Sequence, residues 1–409
     1  MKLLISATIT KACVTIPTMQ YNSNLTDQTV RILILSSTSI LSEQEKIQLQ
    51  SDFENTSLQK LLSLSLKHGV LPVVYQNLKA LSSQNKILEQ LTDELKPYYL
   101  RIAKRNIFMS AELLKIMKLF EAHRIQALSF KGPLLALDAY GDITLRQYGD
   151  LDILVKYCDL PLILELMQAE GYICDVHIPS KHREELFKML TVIGFDNPSN
   201  GLRIEIHWEL LSRNYAISWD TESLWKKKKN IPINHVPVPT LSYEDLLLYI
   251  CVHGSKHLFE RLEWICDIDR VVRVHNADID WERVSQTAKN TGIYRMFLLG
   301  LALAQSFFTL PLPEEIRQEI KKDRMLTEII QKIIILNFST PKNKTVDTGY
   351  FILLLQMRER LSDQLRFSYQ AFFAPQFNDF NYLPLPKYLH FLYPFVRLFR
   401  LGKKYLFKR

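Results

Sequence analysis

Asp150 and Asp152 head a β-branched apolar run, Asp-Leu-Asp-Ile-Leu-Val, that ends at Val155. Residues two apart on a strand share a face, so the two carboxylates project together while Leu151, Ile153 and Val155 turn the other way. Neighbouring carboxylates repel, and a shared proton or a divalent cation relieves the repulsion. The cation fits better, because the complementary half of an anion site lies just upstream. Lys131-Gly132-Pro133 opens a helix-length segment, Leu134 to Tyr140, and a helix N-terminus offers unsatisfied N–H groups and partial positive charge. Pro133 suits the first helical turn, where its missing N–H costs nothing. Lys131 and Arg146 add fixed charge. Phosphate on one side and cation-holding carboxylates on the other outline a nucleoside-triphosphate site. A third acid stands in Ile204-Glu205-Ile206-His207-Trp208, a strand pattern that places Glu205 and His207 on one face.

Lys-Gly, a helix with Leu135-Ala136, Arg146, Asp-x-Asp-Ile-Leu-Val and Glu-x-His-Trp together resemble the polymerase-β-type nucleotidyltransferases. Within that superfamily the chain is most similar to the bacterial uncharacterised nucleotidyltransferases, of NTP transferase 5 type. KHGVLPVVYQNL from Lys67 and HGSKHLFERLEWICDIDRVV from His253 extend the likeness from roughly Val30 to the C-terminus. The resemblance implies a short mixed sheet with Gly near the end of its first strand, two acids on the second and Glu205 on a strand beside them. It also implies that Lys256, Arg261 and Asp267 reach the nucleotide from a helical segment; a pairing of Arg261 with Asp267, or helix capping, is the structural alternative. One departure is Gly132-Pro133, where the superfamily carries Gly-Ser, so a hydroxyl contact to phosphate is absent.

The elements that must position these residues are mostly helical. With 409 residues, 47% hydrophobic and only 12 glycines, the chain reads as α+β: a small mixed β-sheet core flanked by mainly helical N- and C-terminal regions. The divisions are residues 1–29 as a leader, disordered or with its start assigned too early and Met19 as the real one; 30–125 as an N-terminal helical region; 126–240 as the nucleotidyltransferase core; 241–338 as a helical domain; and 339–409 as a helical region with a basic aromatic tail. Residues 87–122 form one or two long helices, with Leu113, Ile116, Met117 and Phe120 as a core seam. Residues 172–177 read as a strand, 314–337 as one amphipathic helix and 350–365 as another. Ser242 and Asp245 suggest a helix start resembling a capping box.

A net charge of +8 suits anionic partners. Five scattered cysteines without C-x-x-C spacing point to reduced thiols and a cytoplasmic location. No apolar run reaches the roughly 18 residues of a membrane span. Lys226 to Lys229 form a solvated face or a contact for an acidic partner. His68 reads as a capping or core histidine. His253 and His257 share a helix face, but Gly254 stands where a zinc-protease motif needs Glu, leaving a structural or substrate-facing pair. The ending RLFRLGKKYLFKR packs on its own protein or lies peripherally on an acidic membrane.

The function expected is transfer of a nucleoside monophosphate from an NTP, ATP foremost, to a hydroxyl or phosphate acceptor on a small molecule, protein or RNA. Asp150, Asp152 and Glu205 would be the catalytic and metal-holding residues for two Mg²⁺ ions, with Mn²⁺ as a substitute, and Glu205 has a second reading as general base. Lys131, Gly132, Arg146, His207, Lys256 and Arg261 would bind the nucleotide. Two other classes remain: a catalytically silent nucleotide-binding or interaction protein, and a basic protein that binds nucleic acid or a membrane surface.

Overall fold

A computed structural model describes residues 27–53, 56–82, 85–176, 183–338 and 347–406, with only the backbone of 347, 348 and 404–406. Residues 1–26 of the leader and most of the 339–348 linker lie outside the described residues. The chain opens with helices α1 (Gln28–Ser36), α2 (Glu43–Asp52), α3 (Leu58–Lys67), α4 (Leu71–Leu81) and α5 (Lys86–Ala122). The last is a single helix of 37 residues, started by Asn85, whose side chain accepts from the N–H groups of Ile87 and Leu88.

The sheet follows: β1 (Ala127–Ser129), α6 (Gly132–Tyr140), β2 (Asp150–Val155), α7 (Leu160–Ala169), β3 (Ile173–Cys174), α8 (Arg183–Met189), β4 (Val192–Asp196) and β5 (Arg203–His207). Its spatial order is β1-β2-β5-β4-β3, with β2 and β5 parallel and every other pair antiparallel. Helix α9 (Thr221–Lys227) leads to a hairpin, β6 (Lys229–Ile233) and β7 (Val236–Thr240), whose second strand packs against β1.

Alternation along β2 divides the two sides of the sheet. Leu151, Ile153 and Val155 join Leu113, Ile116 and Phe120 of α5 in one apolar cluster, so the expected seam packs behind the sheet. Leu154, with Phe130 and Leu135, enters a second cluster shared with the helical regions at both ends of the chain. The aspartate side of β2 therefore faces helices.

Those helices are α10 (Tyr243–Lys256), α11 (Leu262–His275), α12 (Trp281–Thr291), α13 (Tyr294–Phe308), α14 (Glu314–Lys322) and α15 (Arg324–Phe338). Ser242 caps α10 by accepting from Asp245 N–H, an arrangement worth about 1 kcal/mol. Helices α10, α11 and α13 pack on one another, and α11 also touches α6. The region ends with α16 (Asp347–Gln356), α17 (Leu361–Phe372), α18 (Phe377–Tyr382) and α19 (Tyr393–Leu406).

Three elements differ from their sequence patterns. Residues 314–337 form two helices, because Asp323 accepts from Leu326 N–H to begin the second and pairs with Arg295 at 2.7 Å. Residues 350–365 are broken at Arg358, whose buried guanidinium donates to the carbonyl oxygens of Leu354 and Tyr215. Of 172–177 only Ile173 and Cys174 pair, and His177 lies outside the described residues.

Candidate functional site

Parallel pairing of β2 and β5 sets Asp152 directly beside Glu205 and Leu154 beside His207. His207, two residues after Glu205, shares its face. Its Nε2 lies 3.1 Å from Asp152 Oδ1 and 3.5 Å from Glu205 Oε2. Potential ligand atoms of Asp152, Glu205 and His207 all fall within 4.8 Å of one another. Asp152 Oδ2 is buried without a hydrogen-bond partner, while Lys131 Nζ stands 3.7 Å away.

Lys131 caps α6 with a non-helical backbone, and Gly132 opens the helix at φ +53°, a conformation open to glycine. The lysine amine also lies 5.1 Å from the centre of the Tyr249 ring. Burial would lower its pKa, but Asp152 and Tyr249 raise it, so it stays charged. For Asp152, burial acts upward and is overcome by Lys131 and His207, which hold the carboxyl below its usual range. Asp150 moves the other way: burial, reinforced by the Asp152 charge, pushes it up to about 6. Glu205 is lowered first by its hydrogen bond to His207. For His207 burial acts downward, and its two carboxylate partners win and raise it.

A cleft of ≈ 220 Å³ lies between this sheet edge and helices α10 and α11. Lys131, Gly132, Arg146, Asp150, Asp152 and Arg261 all line it, which brings six of the expected site residues to one opening. Their engagement differs. Arg146 is buried, donating from Nε and Nη2 to the two oxygens of Asp267 at 2.8 Å each, and Tyr140 Oη donates to the same carboxylate. Arg261 pairs with Glu263 at 3.0 Å. The expected Arg261–Asp267 alternative is thus replaced by two separate pairs. Lys256 is not on the cleft wall; its Nζ sits 5.4 Å from the centre of the Tyr215 ring, and burial together with Lys131 lowers its pKa to about 8.

The sequence pattern of the uncharacterised nucleotidyltransferases matches residues 54–309. The chain belongs to that family. No curated protein matches it. The match spans the nucleotidyltransferase's sheet, cleft and facing helices, and also the Lys67–Leu78 stretch, whose part is architectural. His68 Nδ1 accepts from Leu262 N–H, and the His68 carbonyl accepts from Glu263 N–H, so this turn caps α11. His68 also stacks on Phe338.

His253 and His257 flank Trp264, with ring centres 5.3 and 5.2 Å from it. They join no cluster of three potential metal ligands; among the described residues Asp152, Glu205 and His207 form such a group. Trp208 of the Glu-x-His-Trp motif is buried against Phe187 and Tyr157 and belongs to the core. Lys229, from the four-lysine run, pairs with Asp138 at 2.9 Å and covers Tyr243, so it fastens the β6–β7 hairpin to α6.

Sequence reasoning missed Tyr249, Arg203 and Glu263. Tyr249 falls four residues before His253 on one helix face, and that spacing was the available signal. Arg203 lies two residues before Glu205 and holds it at 3.3 Å while bonding Asp175 and Asp196. Glu263 carries no local pattern that marks it. The four described cysteines are free thiols, and no described helix is long and apolar enough to cross a membrane.

Proposed function

We propose that this nucleotidyltransferase transfers a nucleoside monophosphate, AMP from ATP foremost, to a hydroxyl or phosphate acceptor. The observation that carries the reading is the register of β2 against β5, which sets Asp152 beside Glu205, while Asp152, Lys131 and Gly132 at the α6 N-terminus line one cleft. The donor set suits a hard divalent cation: carboxylate oxygens predominate, and Asp152 Oδ2 is a buried acceptor without a hydrogen-bond partner. Two Mg²⁺ ions, or Mn²⁺ in their place, held by Asp150, Asp152 and Glu205 would acidify the acceptor hydroxyl and neutralise the leaving pyrophosphate.

The protein's own groups do the rest. Lys131 and the backbone N–H groups opening α6 hold the β- and γ-phosphates, a charge-assisted grip that replaces the Lys131–Asp152 contact. Lys256 and Arg261 add positive charge from the helical side. Arg146, with two donors already committed to Asp267, contributes mainly field and positioning. The acceptor oxygen attacks the α-phosphorus as the bond to the bridging β-oxygen breaks; Glu205 takes the acceptor proton and pyrophosphate departs. His207 orients Glu205 and Asp152.

The test is pyrophosphate release from ATP, GTP, CTP and UTP in the presence of Mg²⁺ and a cell lysate as acceptor source. Asp150→Ala, Asp152→Ala and Glu205→Ala are each expected to abolish release while keeping the helical circular-dichroism spectrum of the wild type, and Asp152→Ala to melt lower because it leaves Lys131 and His207 buried without their acid. Turnover surviving either aspartate change defeats the proposal.

A further inference from the structure

The C-terminal helix α19 is mounted with its polar face inward. Asp379, fully buried, accepts from Arg397 Nη1 at 3.1 Å and from Arg400 Nε at 2.6 Å, and Arg397 also donates to the Ala371 carbonyl. Tyr393 is buried on the same side, against Phe380 and Leu186 of α8. At 3.6 residues per turn, positions 393, 397 and 400 form one face and 395, 398 and 399 the opposite one. That opposite face is apolar and open: Phe395 is 68% exposed and Phe399 65%. The preceding turn continues it through Tyr388 and Phe391, both exposed. Surface helices of globular proteins do the reverse, turning their apolar stripe to the core.

The neighbouring helix α17, which contacts α19, repeats the feature. Leu361, Leu365, Tyr369 and Phe372 recur at spacings of three and four and are all exposed, while Phe367 is buried. Exposed aromatic and aliphatic side chains gathered on one helix face in this way mark an interaction site. Charge selects the occupant. After Asp379 the chain contains seven Lys or Arg and no Asp or Glu. Two of the seven answer Asp379, and Lys387 pairs with Glu185. Lys403 is exposed beside the Tyr382 ring. A second copy of the same face would bring like charge against like charge, whereas anionic lipid headgroups complement it.

We infer that α19 and the adjoining face of α17 form a docking surface for an anionic membrane. The helix lies in the interface plane, with Phe391, Phe395 and Phe399 entering the boundary between headgroups and acyl chains and Lys403 at its rim. Aromatic burial and headgroup attraction both contribute to binding, so neutral vesicles and aromatic-depleted variants should each bind less.

Flotation of the full chain with vesicles of phosphatidylcholine alone, or of phosphatidylcholine with phosphatidylglycerol, tests this. The protein is expected to float with the anionic vesicles at least about tenfold more than with the neutral ones, and to be partly released by high salt. Phe395→Ser/Phe399→Ser should abolish flotation, Lys403→Glu should weaken it, and Phe108→Ser, at an exposed site on α5, should leave it unchanged. Equal binding to both vesicle types, or no binding at low salt, overturns the inference. So does a dimer in solution that Phe395→Ser/Phe399→Ser converts to monomer without any change in flotation.

Discussion

Arg146 donates two parallel hydrogen bonds, each 2.8 Å long, to Asp267, joining the segment before β2 to the middle of α11. The carboxylate takes a third bond from Tyr140 Oη at the end of α6. Three stretches that frame the cleft therefore meet on one buried acid. Asp267→Ala leaves the Arg146 charge buried and unpaired, a loss of about 3–5 kcal/mol. Chemical denaturation should show it directly, and the variant should bind NTP more weakly because α11 is no longer fixed against α6.

Much of this architecture was legible because its signals are local. Asp150, Asp152, Glu205 and His207 follow strand alternation, Leu113, Ile116 and Phe120 follow helix periodicity, and Ser242 is a cap within three residues of its partner. What the sequence could not supply is the partnering of charges across long separations. Arg146 finds Asp267 at a distance of 121 residues. The break at Arg358 was hidden for the same reason: its carbonyl partner belongs to Tyr215, 143 residues away.

Gly69 explains the glycine in the Lys67–Leu78 stretch. Its φ is +71°, and a Cβ there would stand 1.8 Å from Glu263 Oε2 and 2.6 Å from Arg261 Nη2. Gly69→Ala combines left-handed strain with displacement of a buried carboxylate, so destabilisation of roughly 1–3 kcal/mol is expected in denaturant melts. Glu263 is the group displaced, so the variant should also disturb the Arg261 side of the cleft.

Glu263 gives a pH signature. Burial lifts its pKa from 4.5 to about 7; the Arg146 and Arg261 charges oppose this, but Arg146 is committed to Asp267 and Arg261 is a third exposed and shares its charge with water. A carboxyl whose folded pKa is raised contributes full stability below the unfolded value and loses it as pH rises through the folded one. Stability should therefore fall by about 3 kcal/mol between pH 4.5 and 7.5 from this group alone. Glu263→Gln should remove that slope, so the variant gains on the wild type as pH rises; parallel profiles would refute the assignment.

Lys256 sits near Tyr215 with its pKa lowered to about 8. Under the proposed function its protonated form attracts the triphosphate through space from beside the cleft, so NTP affinity should weaken as pH rises above about 8. Lys256→Met should raise KM for NTP by roughly tenfold or more and flatten that pH dependence, with a smaller effect on kcat.

The most direct test follows two phosphorus atoms at once. The protein is incubated with Mg²⁺, lysate and ATP labelled at the α-phosphate in one sample and at the γ-phosphate in another, with Asp152→Asn as control. The α-label should become acceptor-bound and the γ-label should leave as pyrophosphate, with neither event in the variant. Transfer of the γ-label to an acceptor above the level of lysate alone, or equal α-label transfer by Asp152→Asn, would contradict nucleotidyl transfer at this site.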